Sequence, residues 1–142
     1  WNFRMSNLQA AVGVAQLERL PETLEKKREI SKIYHQHLEG CVSFTLPLTQ
    51  TDYCENIYWV FGVISKDETR DAKWWMNKMK ERGIGTRPFF YPMHLQPALQ
   101  SNSPKENNYP ESEKITKYGF YLPSGVTLCE DRISTVSQKL IG

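Results

Sequence analysis

Apolar positions along this chain switch repeatedly between a helical period and short alternating or aromatic runs. Leu8, Ala11, Val12 and Ala15 recur at helical spacing, and Ser6-Asn7-Leu8-Gln9 in front of them reads as a capping box. A helix is expected to start there. Its small residues Ala10, Ala11, Gly13 and Ala15 would let a neighbouring backbone approach closely, so tight packing is expected. Pro21 suits the first turn of a second helix, where Ile30, Ile33, Tyr34 and His37 or Leu38 continue an apolar stripe up to a stop at Gly40.

Val42, Phe44 and Leu46 alternate before Pro47, and Tyr58 to Ile64 is rich in aromatic and β-branched residues. Both read as strands, separated by a polar loop. Asp67 to Arg82 returns to helical period, with Ala72, Trp75, Met76 and Met79 on one face and Gly83 behind them. Ile84-Gly85-Thr86-Arg87 is a short strand candidate, and Pro88, Pro92 and Pro97 make the following segment an ordered, irregular loop. Asn102 to Tyr109 is polar and reads as a mobile loop. A short helix before Gly119 and a strand at Phe120 to Leu122 follow, then a turn at Pro123-Ser124-Gly125 in which Gly125 takes positive φ. A last helix carries Ile133, Val136 and Leu140. Helices interleaved with short strands predict a two-layer α/β domain, a small sheet covered by helices.

At 142 residues, with 39% hydrophobic and 24% charged residues, the chain suits one folded domain. The net charge of +2 comes from both signs mixed along the chain, which gives no nucleic-acid patch. No apolar run approaches the roughly 20 residues of a membrane span. Cys41, Cys54 and Cys129 are widely spaced without a CxxC pair, which argues against a disulfide framework or zinc site and fits a reducing cytoplasm. His35 and His37, two apart on a helix, cannot make the i, i+4 metal pair. The opening Trp1-Asn2-Phe3-Arg4-Met5 lacks a signal-peptide core and an initiator methionine, so a start in mid-sequence or processing is expected.

Asn2 to Leu17 resembles the block that opens the C-terminal part of DegT/DnrJ/StrS-type sugar aminotransferases. Tyr58-Trp59-Val60-Phe61, the run from Gly83 through Thr86-Arg87-Pro88-Phe89-Phe90-Tyr91-Pro92-Met93-His94, and Leu122-Pro123-Ser124-Gly125 extend the resemblance in order along nearly the whole chain. The wording of the middle run is most similar to perosamine-forming members, which move an amino group from glutamate to a GDP-linked 4-keto-6-deoxymannose. The resemblance implies the small domain of a type I aminotransferase fold, with a mainly antiparallel sheet. Residues 1–142 would be that C-terminal domain and 1–20 the helix joining it to a large domain. It further implies a homodimer, pyridoxal 5′-phosphate as cofactor, and a nucleotide sugar and glutamate as substrates. The family's aldimine lysine and pyridine-binding acid lie upstream of the opening block. No lysine here, from Lys26 to Lys139, stands in a matching motif, so the chain alone is expected to carry no catalytic residue and no bound cofactor.

Within that frame Asn2 is the first candidate for reaching the phosphate of a partner's cofactor, and Arg4 the second, because amide and guanidinium donors suit a phosphate dianion. Against this, Asn2 can be a frayed end and Arg4 can pair with a local carboxylate. Arg87, His94, Tyr91 and Phe89 are the candidates for substrate contact, the arginine toward a diphosphate and the aromatics toward a base or sugar face. The plainer reading has Phe89 and Phe90 filling the core and His94 hydrogen-bonded within its loop. Trp75 belongs on the apolar stripe rather than under a sugar, and no Gly-x-Ser-x-Gly elbow supports hydrolase chemistry around Ser124. Two other functions remain open: a stand-alone non-catalytic binding domain, and a part of a dehydratase relative whose catalytic lysine is replaced by histidine.

Overall fold

The structure, a computed structural model, describes residues 3–99 and 109–142. The capping box forms: Ser6 Oγ accepts from the Gln9 amide at 3.3 Å while Gln9 Oε1 accepts from the Ser6 amide at 2.8 Å, starting α1 (Asn7–Glu18). After Arg19 the chain continues as α2 (Leu20–His37), with Pro21 in its first turn, and leaves it toward Gly40 at φ 73°. The strands are β1 (Phe44–Thr45), β2 (Phe61–Ser65), β3 (Arg87–Pro88) and β4 (Gly119–Leu122). The remaining helices are α3 (Ala72–Glu81), α4 (Pro110–Tyr118) and α5 (Glu130–Ile141), with a 3₁₀ turn at Met93–Leu95. A small antiparallel sheet in the order β1-β2-β4-β3 lies against helices, as the α/β expectation has it.

The two faces of the sheet have different chemistry because side chains alternate along each strand. On the inner face Phe61, Val63 and Ser65 of β2 stand beside Phe120 and Leu122 of β4. Ile30 and Tyr34 of α2, Leu38 just past its end, Trp75 and Met79 of α3, and Ile133, Val136 and Leu140 of α5 complete one buried cluster with them. Tyr34 stacks on Phe61 with ring centroids 4.6 Å apart, and Trp75 meets Phe44 edge-on at 4.9 Å while its indole N–H donates to Ser65 Oγ at 3.0 Å. The buried hydroxyl thus has a partner, as a polar group in a core needs. The Tyr34 hydroxyl donates to the Pro123 carbonyl at 2.7 Å, and burial pushes its phenol well above its ordinary pKa.

The outer face is floored by glycine. Gly62 and Gly119 lie under the Phe89 ring; a Cβ built at either would stand 2.5 Å from that ring, and at Gly119 also 2.5 Å from the Ile115 carbonyl oxygen. The close approach of Phe89 to the sheet requires the missing side chains. Gly119→Ala is therefore expected to cost about 1–3 kcal/mol, the usual range for forcing a methyl into filled space. A urea unfolding midpoint unchanged by this substitution would contradict that packing.

Several expectations need correction. The second strand starts at Phe61 rather than Tyr58, because Tyr58 takes φ 50° and its amide donates to Asn56 Oδ1 at 2.8 Å, which turns the chain before it can pair. Only Phe44 and Thr45 of the run from Val42 to Leu46 join the sheet, and Val42 is exposed. The third helix begins at Ala72, since Asp71 accepts from the Trp74 amide at 2.8 Å and sets the cap, whereas the Asp67 carboxylate is taken by Thr69. These Thr69 hydrogen bonds hold Asp67 below its ordinary pKa. The third strand is Arg87–Pro88 and excludes Ile84, whose amide still closes the end of α3 on the Met79 carbonyl. Gly83 takes φ 78°, but Gly125 does not adopt positive φ; its carbonyl accepts from the Leu128 amide in a turn any residue can make. The expected close packing of α1 is absent among the described residues: none of its residues is buried, and Leu8, Val12 and Leu17 are exposed. The mobile loop expected at Asn102 to Tyr109 lies, apart from Tyr109, outside the described residues.

Candidate functional site

The loop that begins at β3 is held in place from two sides. Arg87 pairs in register with Tyr121 across the sheet edge, which fixes its backbone. Phe89 then turns onto the glycine floor, its ring 4.4 Å from that of Tyr121. Beyond Phe89 the loop is tied to α4: Thr116 Oγ1 donates to the Phe90 carbonyl at 3.1 Å, and His94 Nε2 lies 2.9 Å from Glu113 Oε1. The His94 ring also packs on Tyr109 at 4.8 Å. Pro92 between them is buried, so the segment is rigid where it touches the sheet and helix.

Arg87 is exposed and lines a cleft of about 210 Å³ with Thr86, Tyr121, Pro123 and Ser124. No described carboxylate pairs with it, which leaves its guanidinium edge available to an anion. Burial raises the Tyr121 phenol above its ordinary pKa, and a backbone hydrogen bond from Phe90 partly offsets this, so it stays a neutral hydroxyl at physiological pH. One lysine ties the Ser124 wall of this cleft to the chain just ahead of β2. Lys27 of α2 donates from Nζ to the Ser124 carbonyl at 2.5 Å and to the Trp59 carbonyl at 2.9 Å, and desolvation lowers its pKa.

The four candidates for substrate contact therefore divide between two places. Arg87 and Phe89 gather around Tyr121 at the sheet edge, whereas His94 is turned to Glu113 and Tyr109; Tyr91 is exposed, with its carbonyl accepting from Gln96. His94 is the hydrogen-bonded loop histidine of the plainer reading, and Phe89 covers the outer face of the sheet rather than filling the inner core. Phe90 is not core either: it is 68% exposed and lies parallel to Trp59, itself 64% exposed, with centroids 5.8 Å apart and planes at 10°. That stacked pair was absent from the sequence reading, which placed Trp59 inside a strand. The only hint was an indole just ahead of β2. Arg4 lies exposed before α1, and Asn2 falls outside the described residues.

Among the described residues, no group of three or more His, Cys, Asp or Glu side chains could hold a metal ion, and no helix is long and apolar enough to cross a membrane. The three cysteines are free thiols.

The model of the DegT/DnrJ/EryC1/StrS aminotransferase family matches residues 1–141. A GDP-perosamine synthase from Vibrio cholerae is 34% identical over 142 aligned residues, covering 96% of this chain and 36% of the relative. A second GDP-perosamine synthase, from Escherichia coli O157:H7, is 28% identical, covering 99% of this chain and again 36% of the relative. Among solved structures, S. venezuelae DesV in complex with a ketimine intermediate superposes with a TM-score of 0.84 at 25% identity, over 96% of this chain and 36% of that one. The chain thus spans about a third of the length of the proteins it matches.

Proposed function

Since the chain belongs to the DegT/DnrJ/EryC1/StrS aminotransferase family, we propose that it is the C-terminal small domain of a pyridoxal phosphate-dependent nucleotide-sugar aminotransferase. Residues 1–20 carry the helix that joins it to a large domain. The exposed apolar side chains of Leu8, Val12 and Leu17 are what such a junction would cover. The reaction is amino transfer from glutamate to a GDP-linked 4-keto-6-deoxy sugar of the perosamine type. The 34% identity with the V. cholerae enzyme supports that choice of sugar.

The described residues do not by themselves fit the cofactor. Lys27, the lysine whose pKa is lowered by burial, has its ammonium fastened to two backbone carbonyls. When bound, the cofactor supplies the electron sink for amino transfer. In a homodimer, Asn2 and Arg4 would offer donors at the edge of the partner's cofactor phosphate. What this chain supplies is the sugar side of the site. Arg87 binds the diphosphate, the Tyr121 and Ser124 hydroxyls offer hydrogen bonds beside it, and the Trp59–Phe90 pair gives a stacking surface for a base or sugar. His94 and Glu113 position the loop, with Tyr91 at its exposed bend.

The observation that carries this reading is Arg87, exposed on the sheet edge with no carboxylate partner among the described residues, within a chain matched by the family model over 1–141. Its test is Arg87→Ala in the full-length protein. Removing one partner of a charge-assisted contact costs about 2–5 kcal/mol, so kcat/KM for the nucleotide sugar should fall by roughly 30-fold or more. The loss should come through KM, with the glutamate half-reaction unchanged. Constants for both substrates within twofold of the parent would rule Arg87 out of the sugar-nucleotide site.

A further inference from the structure

We propose that the cleft between α2 and the loop of residues 49–58 is a binding site for a small oxyanion, held by Arg28, Ser31 and His35. These positions are spaced by three and four, which puts them on one face of α2. All three line a cleft of about 260 Å³, whose opposite wall includes Glu55 and Tyr58. This place is separate from the Arg87 cleft and does not depend on the sugar-transfer reading.

The unmet hydrogen-bonding capacity of the described residues is concentrated here. Four buried side-chain polar atoms among them have no hydrogen-bond partner, and three are Arg28 Nε, Ser31 Oγ and His35 Nε2; only Ser137 Oγ lies elsewhere. Ser31 is 1% exposed, so its hydroxyl cannot turn to bulk water. Buried polar groups are ordinarily paired, and three orphans on one wall of one cleft mark a place built for something that pairs with them.

The donor set defines the class of ligand. Arg28 already gives its Nη2 to Glu55 at 2.9 Å, which fixes the guanidinium and leaves the Nε–H free to donate. That nitrogen can only donate, and the Ser31 hydroxyl and an Nε2–H tautomer of His35 can do the same. Lys32, exposed at the rim, adds a second positive charge, while Glu55 is the carboxylate in the wall and is already met by Arg28. Three unpaired donors on one cleft wall with excess positive charge suit an oxyanion, and the space exceeds the roughly 30 Å³ that each water would need several-fold. The His35 ring is packed edge-on against Tyr58 and Phe61, which fixes it on this wall of the cleft. Desolvation lowers the His35 pKa in the absence of a ligand.

Titration calorimetry of the protein with inorganic phosphate, and in parallel with acetate, tests this. Saturable phosphate binding is expected, weakened tenfold or more by Ser31→Ala and by Arg28→Gln and several-fold by Lys32→Ala. Arg87→Ala should leave it unchanged. Ser31→Ala removes only an unpaired hydroxyl and Lys32 is on the surface, so both variants keep the fold and the readout. Acetate binding with the same variant dependence would support the site and widen its class to carboxylates; acetate failing where phosphate binds would support a tetrahedral anion. Absence of saturable binding to either anion overturns the proposal, leaving the cleft to water. So does binding that survives Ser31→Ala, or that is lost in Arg87→Ala instead.

Discussion

Phe120→Ala is expected to destabilise the fold by about 3–5 kcal/mol, the range for truncating a fully buried phenylalanine. Phe120 is completely buried, sits opposite Val63 across the β2–β4 ladder, and meets the Phe44 ring at 6.1 Å. β4 is the strand through which β3, and with it Arg87, joins the rest of the sheet. Small domains carry only about 5–15 kcal/mol of stability in total. Losing this side chain would thus remove a large share of it and loosen the edge that presents the candidate site. Chemical denaturation measures the effect, with Phe90→Ala as the control. Phe90 is exposed, and its removal should change stability by no more than about 0.5 kcal/mol. Equal costs for the two substitutions would contradict the assignment of inner and outer positions.

The parts of this molecule that were legible in its sequence are those decided locally. The Ser6–Gln9 box, the stripe of Ile30, Tyr34 and Leu38, the face of Trp75 and Met79, and the last helix all follow from residues within one or two turns of each other. The sheet was harder, because its strands are two to five residues long and their limits are set by partners far along the chain. Tyr58 has the β propensity of a strand residue, yet the Asn56 side chain captures its amide and diverts the backbone. Propensity gave way to a side-chain hydrogen bond two residues back.

The candidate site shows the same division. Arg87 stood out through the motif around it, and the structure leaves it exposed at the sheet edge. Its neighbours did not stand out: Trp59 meets Phe90 from 31 positions away, and Lys27 reaches Ser124 across 97. No periodicity encodes such pairs. His94 shows the converse, since the motif singled it out while the structure gives its ring to Glu113 and Tyr109 on the loop's helix side. The outer glycines likewise look like simple strand interruptions until Phe89 is placed over them.

The largest functional effect expected is a complete one. On the proposed function, this chain holds the sugar side of a site whose aldimine-forming lysine is supplied by another part of the protein. Lys27 illustrates why the lysines present do not substitute for it: desolvation lowers its pKa, yet its Nζ is held by two backbone carbonyls at 2.5 and 2.9 Å, so the amine is engaged in the fold rather than offered to an aldehyde. The same 142 residues should therefore be folded yet unable to start amino transfer. Replacing Lys27 with methionine should change nothing in that respect, although it would release the straps on Trp59 and Ser124.

The most direct measurement of this claim is the visible absorbance of the purified 142-residue chain mixed with pyridoxal phosphate, before and after glutamate is added. The account predicts no aldimine band that disappears on glutamate addition, with circular dichroism confirming that the chain is folded. A glutamate-sensitive aldimine band formed by this chain alone would contradict it, because the amine and the amino-donor site would then both lie within these residues.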